Sequence, residues 1–229
     1  LVLPKLAMSF RVVAPDIVGF GFTDRPADAS YDMAYWTRHA VGVLDALDIE
    51  KCSIVGNSFG GALTLALAVN HPDRIDRIVL MGATGLAFDI TPGLDAVWGY
   101  EPSVENMRGL VEMFAYDPAI ATDDLARLRY EASIRPGYQE SYASMFPAPR
   151  QRHVEAMAQS DDALRAIGHE TLIVHGRDDR IIPVETSIRM NQLIPRSQLH
   201  VYGQCGHWTQ IEKNVEFCRL VGDFFAKEA

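Results

Sequence analysis

The chain has 229 residues, of which 48% are hydrophobic and 22% charged, enough for one sizeable domain with a buried core. A formal net charge of −9 argues against nucleic acid or an anionic membrane surface as the main partner, but leaves room for a local cationic pocket that takes an anionic small molecule. No charged-then-apolar leader opens the chain and no apolar run approaches the ~20 residues that span a bilayer, so the expectation is a soluble, cytoplasmic protein.

In chain order, Phe10-Arg11-Val12-Val13-Ala14-Pro15-Asp16 reads as a short β-branched strand, followed by the loop Gly19-Phe20-Gly21. Apolar residues at helical spacing predict a helix over 32–47, and Cys52-Ser53-Ile54-Val55 predicts the strand it feeds. Next come Gly56-Asn57-Ser58-Phe59-Gly60, a helix over 61–69, the turn His71-Pro72-Asp73-Arg74 and a strand over 75–81. Strands alternating with helices imply a mostly parallel, doubly wound sheet. The rhythm breaks over 85–168, where helical patterns such as 103–114 and 123–134 are punctuated by six prolines, which predicts a helical lid inserted into a core formed by 1–84 and 169–229. Its aromatic residues Phe88, Trp98, Phe114, Tyr116, Tyr130, Tyr138 and Phe146 divide between lid core and pocket wall, with most expected in the core. Two more strands lie over 171–175 and 198–202.

The glycine-flanked Ser58, between a strand and a helix, fits a nucleophile elbow, in which side chains at the flanks would clash with the closely approaching backbones. Small residues there also serve ordinary packing, so the motif gains its weight from partners further along the chain. Asp178-Asp179 ends the strand over 171–175 and His207 lies just past the strand over 198–202. Ser, Asp and His in that order, each beyond the carboxyl end of a parallel strand, make a serine-hydrolase triad. Neutral His207 would accept the proton of Ser58 or of a water it orients, an aspartate would fix the imidazole tautomer, and the Phe59 N–H would donate to an oxyanion. Spacing alone does not separate Asp178 from Asp179. Cys52, Cys205 and Cys218 are too sparse for a disulfide framework or a zinc site, and Cys205 reads as a packed thiol despite its nearness to His207. None of His39, His71, His153, His169, His175 and His200 makes a metal-ligand pair at helical spacing, so no metal and no cofactor is expected.

The chain resembles the meta-cleavage product hydrolases, α/β-hydrolases that cut carbon–carbon bonds in ring-fission products of catechols. The resemblance rests on Arg11 to Asp16 with Gly19-Phe20-Gly21, on Val55-Gly56-Asn57-Ser58-Phe59-Gly60-Gly61, and on the lid segments Ala96-Val97-Trp98-Gly99-Tyr100, Leu128-Arg129-Tyr130-Glu131-Ala132-Ser133 and Phe146-Pro147-Ala148-Pro149-Arg150-Gln151-Arg152. His175-Gly176-Arg177-Asp178-Asp179 and Cys205-Gly206-His207-Trp208-Thr209-Gln210 complete it. It looks most like the branch acting on 2-hydroxymuconate semialdehyde and its alkyl homologues.

The resemblance implies an α/β-hydrolase fold with the triad Ser58, Asp179 and His207. It also implies substrate contacts from Arg129, which would grip the carboxylate and 2-oxo group, and from Asn57 and Trp208. The implied substrate is a small anionic dienoate and the implied assembly a homo-oligomer. The size of the group at the remote carbonyl stays open, with Ile90, Val97, Leu110, Val111, Ile181 and Val184 as candidates to shape its pocket. Family members begin with roughly fifty further residues, including strands and a second oxyanion loop, so N-terminal strands are expected to be missing from this chain. The expectation is an exposed sheet edge and a polypeptide that alone is unstable or nearly inactive. A carboxylesterase with the same triad and a non-catalytic ligand-binding relative are the competing readings. A haloalkane dehalogenase is disfavoured because its nucleophile is an aspartate where this chain has Ser58.

Overall fold

The computed structural model describes residues 1–26 and 28–226. It opens with a short helix α1 (Val2–Leu6), followed by α2 (Met33–Ala46), which Asp32 caps by accepting the Tyr35 N–H at 2.7 Å. Strand β1 (Cys52–Asn57) leads through Ser58 into α3 (Phe59–Asn70), and a 3-10 turn (Pro72–Arg74) leads into β2 (Ile75–Met81). The segment after β2 is helical, with α4 (Pro92–Trp98), α5 (Val104–Phe114), α6 (Asp123–Ser133), α7 (Tyr138–Met145), α8 (Gln151–Met157) and α9 (Asp161–Arg165). The serine and threonine caps Thr91, Ser103, Thr122 and Ser160 start four of these helices. Then come β3 (Glu170–Gly176), α10 (Val184–Leu193), β4 (Ser197–Tyr202), α11 (Thr209–Glu212) and α12 (Asn214–Ala226).

The four strands pair in the order β1-β2-β3-β4, all parallel. Because side chains alternate along a strand, β2 and β3 feed two cores. Ile78, Leu80 and Ile173 point to one face, with Leu65 of α3 and Met190 and Leu193 of α10; Val79, Met81, Leu172 and Val174 point to the other, with Phe217, Val221 and Phe224 of α12. Covering both faces is what makes the sheet doubly wound, as its near-continuous apolar strands require. Helix α3 is apolar all round, and Gly61 to Ala68 are all buried. Among the described residues strand β1 is an edge strand, with Val55 41% exposed.

One expected strand does not form. Residues 10–16 carry β-branched side chains but enter no ladder. A strand is stabilised by a partner's hydrogen bonds, and this segment is held by side chains instead. Phe10 packs edge-on to Phe225 at 5.9 Å, and Val12 lies against the α12 core. No helix among the described residues is long and apolar enough to cross a membrane.

Candidate active site

The parallel sheet sends the ends of its strands to one edge, and the three residues of interest lie just past β1, β3 and β4. Ser58 joins β1 to α3 with φ 53° and ψ −118°, a left-handed conformation that costs a non-glycine residue strain. Its neighbours hold it there. The Ser58 N–H donates to the Met81 carbonyl at 2.9 Å, and its own carbonyl accepts from Gly61 N and Thr84 N at 2.9 and 3.1 Å and from the Thr84 hydroxyl at 3.1 Å.

The glycines of the elbow are not equivalent. A Cβ on Gly56 would stand 2.4 Å from the Gly60 carbonyl and one on Gly61 2.3 Å from the Ala83 Cβ, whereas Gly60 has open space. The crossing of strand and helix is therefore tight at Gly56 and Gly61, and the expected clash at Gly60 is absent.

The structure separates the two aspartates. Asp179 Oδ2 lies 2.7 Å from His207 Nδ1, and Oδ1 accepts the N–H groups of Ile181 and Ile182 at 2.7 and 3.0 Å. Asp178 instead faces Arg177 at 3.3 Å and accepts the Cys205 N–H at 3.3 Å. Burial by itself would raise the Asp179 pKa, but the His207 imidazole beside it and hydrogen-bonding contact with His175 and His207 outweigh burial and hold the carboxyl well below the usual carboxylate range. Asp179 is thus an anion positioned to fix the imidazole with Nδ1–H toward it and Nε2 free to accept a proton.

No hydrogen bond joins Ser58 Oγ to His207 Nε2, and neither atom has another partner among the described residues. Such bonds are often long before substrate binds. Gly82, next after β2, lies beneath the pair, since a Cβ there would stand 3.1 Å from both Asp179 Oδ2 and His207 Nδ1. Phe59 begins α3, where its N–H has no intrahelical acceptor and the helix dipole is positive. Asn57 turns its amide to the Met81 carbonyl at 3.0 Å and so braces the elbow.

Lid and core meet through an aromatic stack. His207 and Trp208 both stack on Phe114, at 5.5 and 4.8 Å, and the Arg129 guanidinium lies 4.9 Å from the Trp208 ring centroid. Arg129 also lines a lid cavity of about 650 Å³, together with Phe114, Val97, Leu110, Tyr100, Tyr138 and Tyr142 among others. The surrounding protein desolvates Arg129 and lowers its pKa, the Tyr138 hydroxyl acting in the opposite direction, and no acidic side chain pairs with it among the described residues. An arginine remains cationic under such a shift, so the lid presents a charge that is open to a ligand.

Of the residues expected to shape the pocket, Val97 and Leu110 line this cavity; Ile90, Val111, Ile181 and Val184 do not. Neither do Asn57, Ser58, Asp179 and His207, and Phe114 is the wall shared with His207. Among the lid aromatics, Phe114 and Tyr138 line the cavity, while Trp98 and Phe146 stack on each other at 4.8 Å in the lid core. Tyr142 is a wall residue that the sequence reading misses, although Tyr138, Tyr142 and Phe146 repeat at helical spacing and form a continuous aromatic row. Burial pushes the Tyr142 hydroxyl far up, leaving it a neutral donor to the Val97 carbonyl at 2.8 Å. Cys205 is fully buried and its thiol is pushed up to about 12 by burial and by Glu212, which leaves it unreactive at neutral pH. Among the described residues no group of three or more His, Cys, Asp and Glu side chains gathers as a metal site.

A family model described as the alpha/beta hydrolase fold matches residues 2–214. Over 227 residues the chain is 61% identical to the 2-hydroxy-6-oxo-2,4-heptadienoate hydrolase of a Pseudomonas putida strain, covering 99% of this chain and 82% of the relative. It is 60% identical to the 2-hydroxymuconate semialdehyde hydrolase of Pseudomonas sp. strain CF600, covering 99% and 80%. The crystal structure of a serine-to-alanine variant of CumD, a meta-cleavage product hydrolase from Pseudomonas fluorescens IP01 complexed with acetates, superposes with a TM-score of 0.97 at 57% identity, covering 98% of this chain and 82% of that one.

Proposed function

The chain belongs to the α/β-hydrolase fold family and, within it, to the meta-cleavage product hydrolases, and from that premise we propose that it hydrolyses the C5–C6 bond of 2-hydroxymuconate semialdehyde or its short 6-alkyl homologues. The products are 2-hydroxypenta-2,4-dienoate and formate or a short carboxylate. The observation that supports this most directly is Arg129, an ion-unpaired guanidinium, among the described residues, on the wall of the lid cavity, linked through Trp208 and Phe114 to His207.

Arg129 grips the carboxylate and 2-oxo end of the dienoate, a bidentate task that suits a planar fork. The dienol first becomes its keto tautomer, with a proton delivered to C5. Ser58 or a water it orients then adds to the C6 carbonyl while His207 takes the released proton, Asp179 stabilises the imidazolium, and the Phe59 N–H donates to the oxyanion. When C5–C6 breaks, its electron pair passes through C3=C4 into the 2-oxo group beside Arg129, which makes a carbon leaving group tenable; His207 returns its proton to the dienolate, and where Ser58 itself has added, a water then hydrolyses the acyl-Ser58 ester to release the carboxylate and free Ser58. Asn57 and Trp208 contribute by holding the elbow and the arginine in place.

The competing esterase would use Ser58, Asp179 and His207 in the same way but has no need of a cation on the cavity wall for a remote carboxylate. Arg129→Ala tests the difference. Dienoate KM should rise at least ~10-fold, the loss of a charge-assisted bidentate contact, while hydrolysis of a neutral p-nitrophenyl ester is little changed. Equal losses on both substrates would count against dienoate recognition.

A further inference from the structure

His175 is the next-to-last residue of β3, with its side chain wholly buried, and the proposed reaction makes no use of it. Its Nδ1 lies 2.6 Å from the Ser187 hydroxyl of α10, and its Nε2 lies 3.0 Å from the Ile182 carbonyl. The same Nε2 is 3.2 Å from Asp179 Oδ2, the oxygen that also faces His207 Nδ1 at 2.7 Å. A carbonyl and a carboxylate can only accept, so these partners assign the ring hydrogen to Nε2 and leave Nδ1 to accept from Ser187. An imidazole fixed on both sides in this way turns the positive edge of its dipole toward the carboxylate.

We propose that His175 is a positioning residue for the Asp179–His207 pair, a second imidazole whose N–H edge holds Asp179 Oδ2 in place, draws off part of its charge and so helps set the basicity of His207. The inference rests on His207 being the proton acceptor of the reaction. No third imidazole meets Asp179 among the described residues. Gly82 faces it from the turn after β2, the Ile181 and Ile182 N–H groups face it from its own loop, and Cys205 on the β4 loop is a neutral thiol. Asp178 is engaged with Arg177 and the Cys205 N–H, and α10 contributes the Ser187 hydroxyl.

With the N–H edge removed, the Asp179 carboxylate would carry more of its charge toward His207 and hold its charged form more strongly. The test is kcat/KM against pH for the wild-type enzyme, His175→Phe, which keeps a ring without the N–H, and His175→Gln, which restores an N–H near the Nε2 position. Ser187→Ala, which frees the tautomer, completes the set and stands in if His175→Phe fails to fold. Each is assayed on the dienoate and on a p-nitrophenyl ester, with thermal melts alongside. The expected result is that the acid limb moves to higher pH in His175→Phe by about half a unit or more, moves the same way by less in Ser187→Ala, and returns toward wild type in His175→Gln. Variants that melt earlier with an unmoved acid limb, or a Gln variant displaced as far as the Phe variant, would reduce His175 to packing. The ester arm keeps this test separate from the substrate assignment, because an enzyme that ignored the dienoate would still report the limb on the ester.

Discussion

At the scale of single residues, the arrangement around Asp179 carries a pH prediction whose sign is set by its depressed pKa. The His207 and His175 contacts that overcome burial stabilise the charged form in the fold alone. Their contribution to stability is therefore complete above the unfolded carboxyl pKa of about 4 and is lost as pH falls toward the folded value. Thermal melts of wild type and Asp179→Asn should differ by a constant amount above about pH 5 and converge below about pH 4; a gap that widens on acidification would contradict the assignment. Cys205 shifts in the opposite direction, its buried thiol pushed up to about 12. The native protein should resist alkylation at Cys205 through pH 8 and react once unfolded, which mass spectrometry of iodoacetamide-treated protein reads directly.

At the scale of elements, the lid is fastened to the loops that carry Asp179 and His207. The carboxyl end of α5 is held from three sides: Arg180 donates to the carbonyls of Glu112 and Ala115 at 2.8 Å, the His207 N–H donates to the Phe114 carbonyl at 2.7 Å, and Glu212 accepts from Gly206, Tyr116 and Asp117. Glu212 therefore spans lid and core with one carboxylate. Glu212→Ala should cost about 1–3 kcal/mol by leaving backbone donors without partners, and should lower kcat as well as Tm because Gly206 precedes His207. Chemical denaturation and steady-state rates measure both, and a variant that loses stability with kcat intact would separate the lid clasp from the reaction. This clasp has little signature in the sequence. A glutamate shortly after a histidine looks like any solvated helix residue, and its partners at 116, 117 and 206 are backbone groups that no side-chain pattern reveals.

At the scale of the whole molecule, the legible features are those set by local interactions. The helix over 32–47, the strands over 75–81 and 171–175 and the elbow are set by caps, periodicity and unbroken apolar runs, and their observed bounds differ by only a residue or two. The segment 10–16 has the composition of a strand yet forms none, because strand formation depends on a partner rather than on local preference. The proposed order Ser58, Asp179, His207 can be drawn from the sequence because a parallel sheet gathers strand ends at one edge. The choice of Asp179 over Asp178 depends on which carboxylate reaches across to the β4 loop, and spacing does not encode that. The position of His175 beside the triad is hidden for a related reason, since a histidine buried within a strand resembles a core residue until its two nitrogens are given partners.

Carbon–carbon bond hydrolysis is tested most directly by the decay of visible absorbance of the yellow ring-fission product of catechol, run with the full-length wild-type protein and its Ser58→Ala variant against a p-nitrophenyl ester. Wild type should bleach it rapidly, with kcat/KM at least ~100-fold above that for the ester, and Ser58→Ala should lose at least ~1,000-fold. Efficient ester cleavage without bleaching would contradict dienoate hydrolysis and leave an esterase beneath a lid whose arginine serves another ligand.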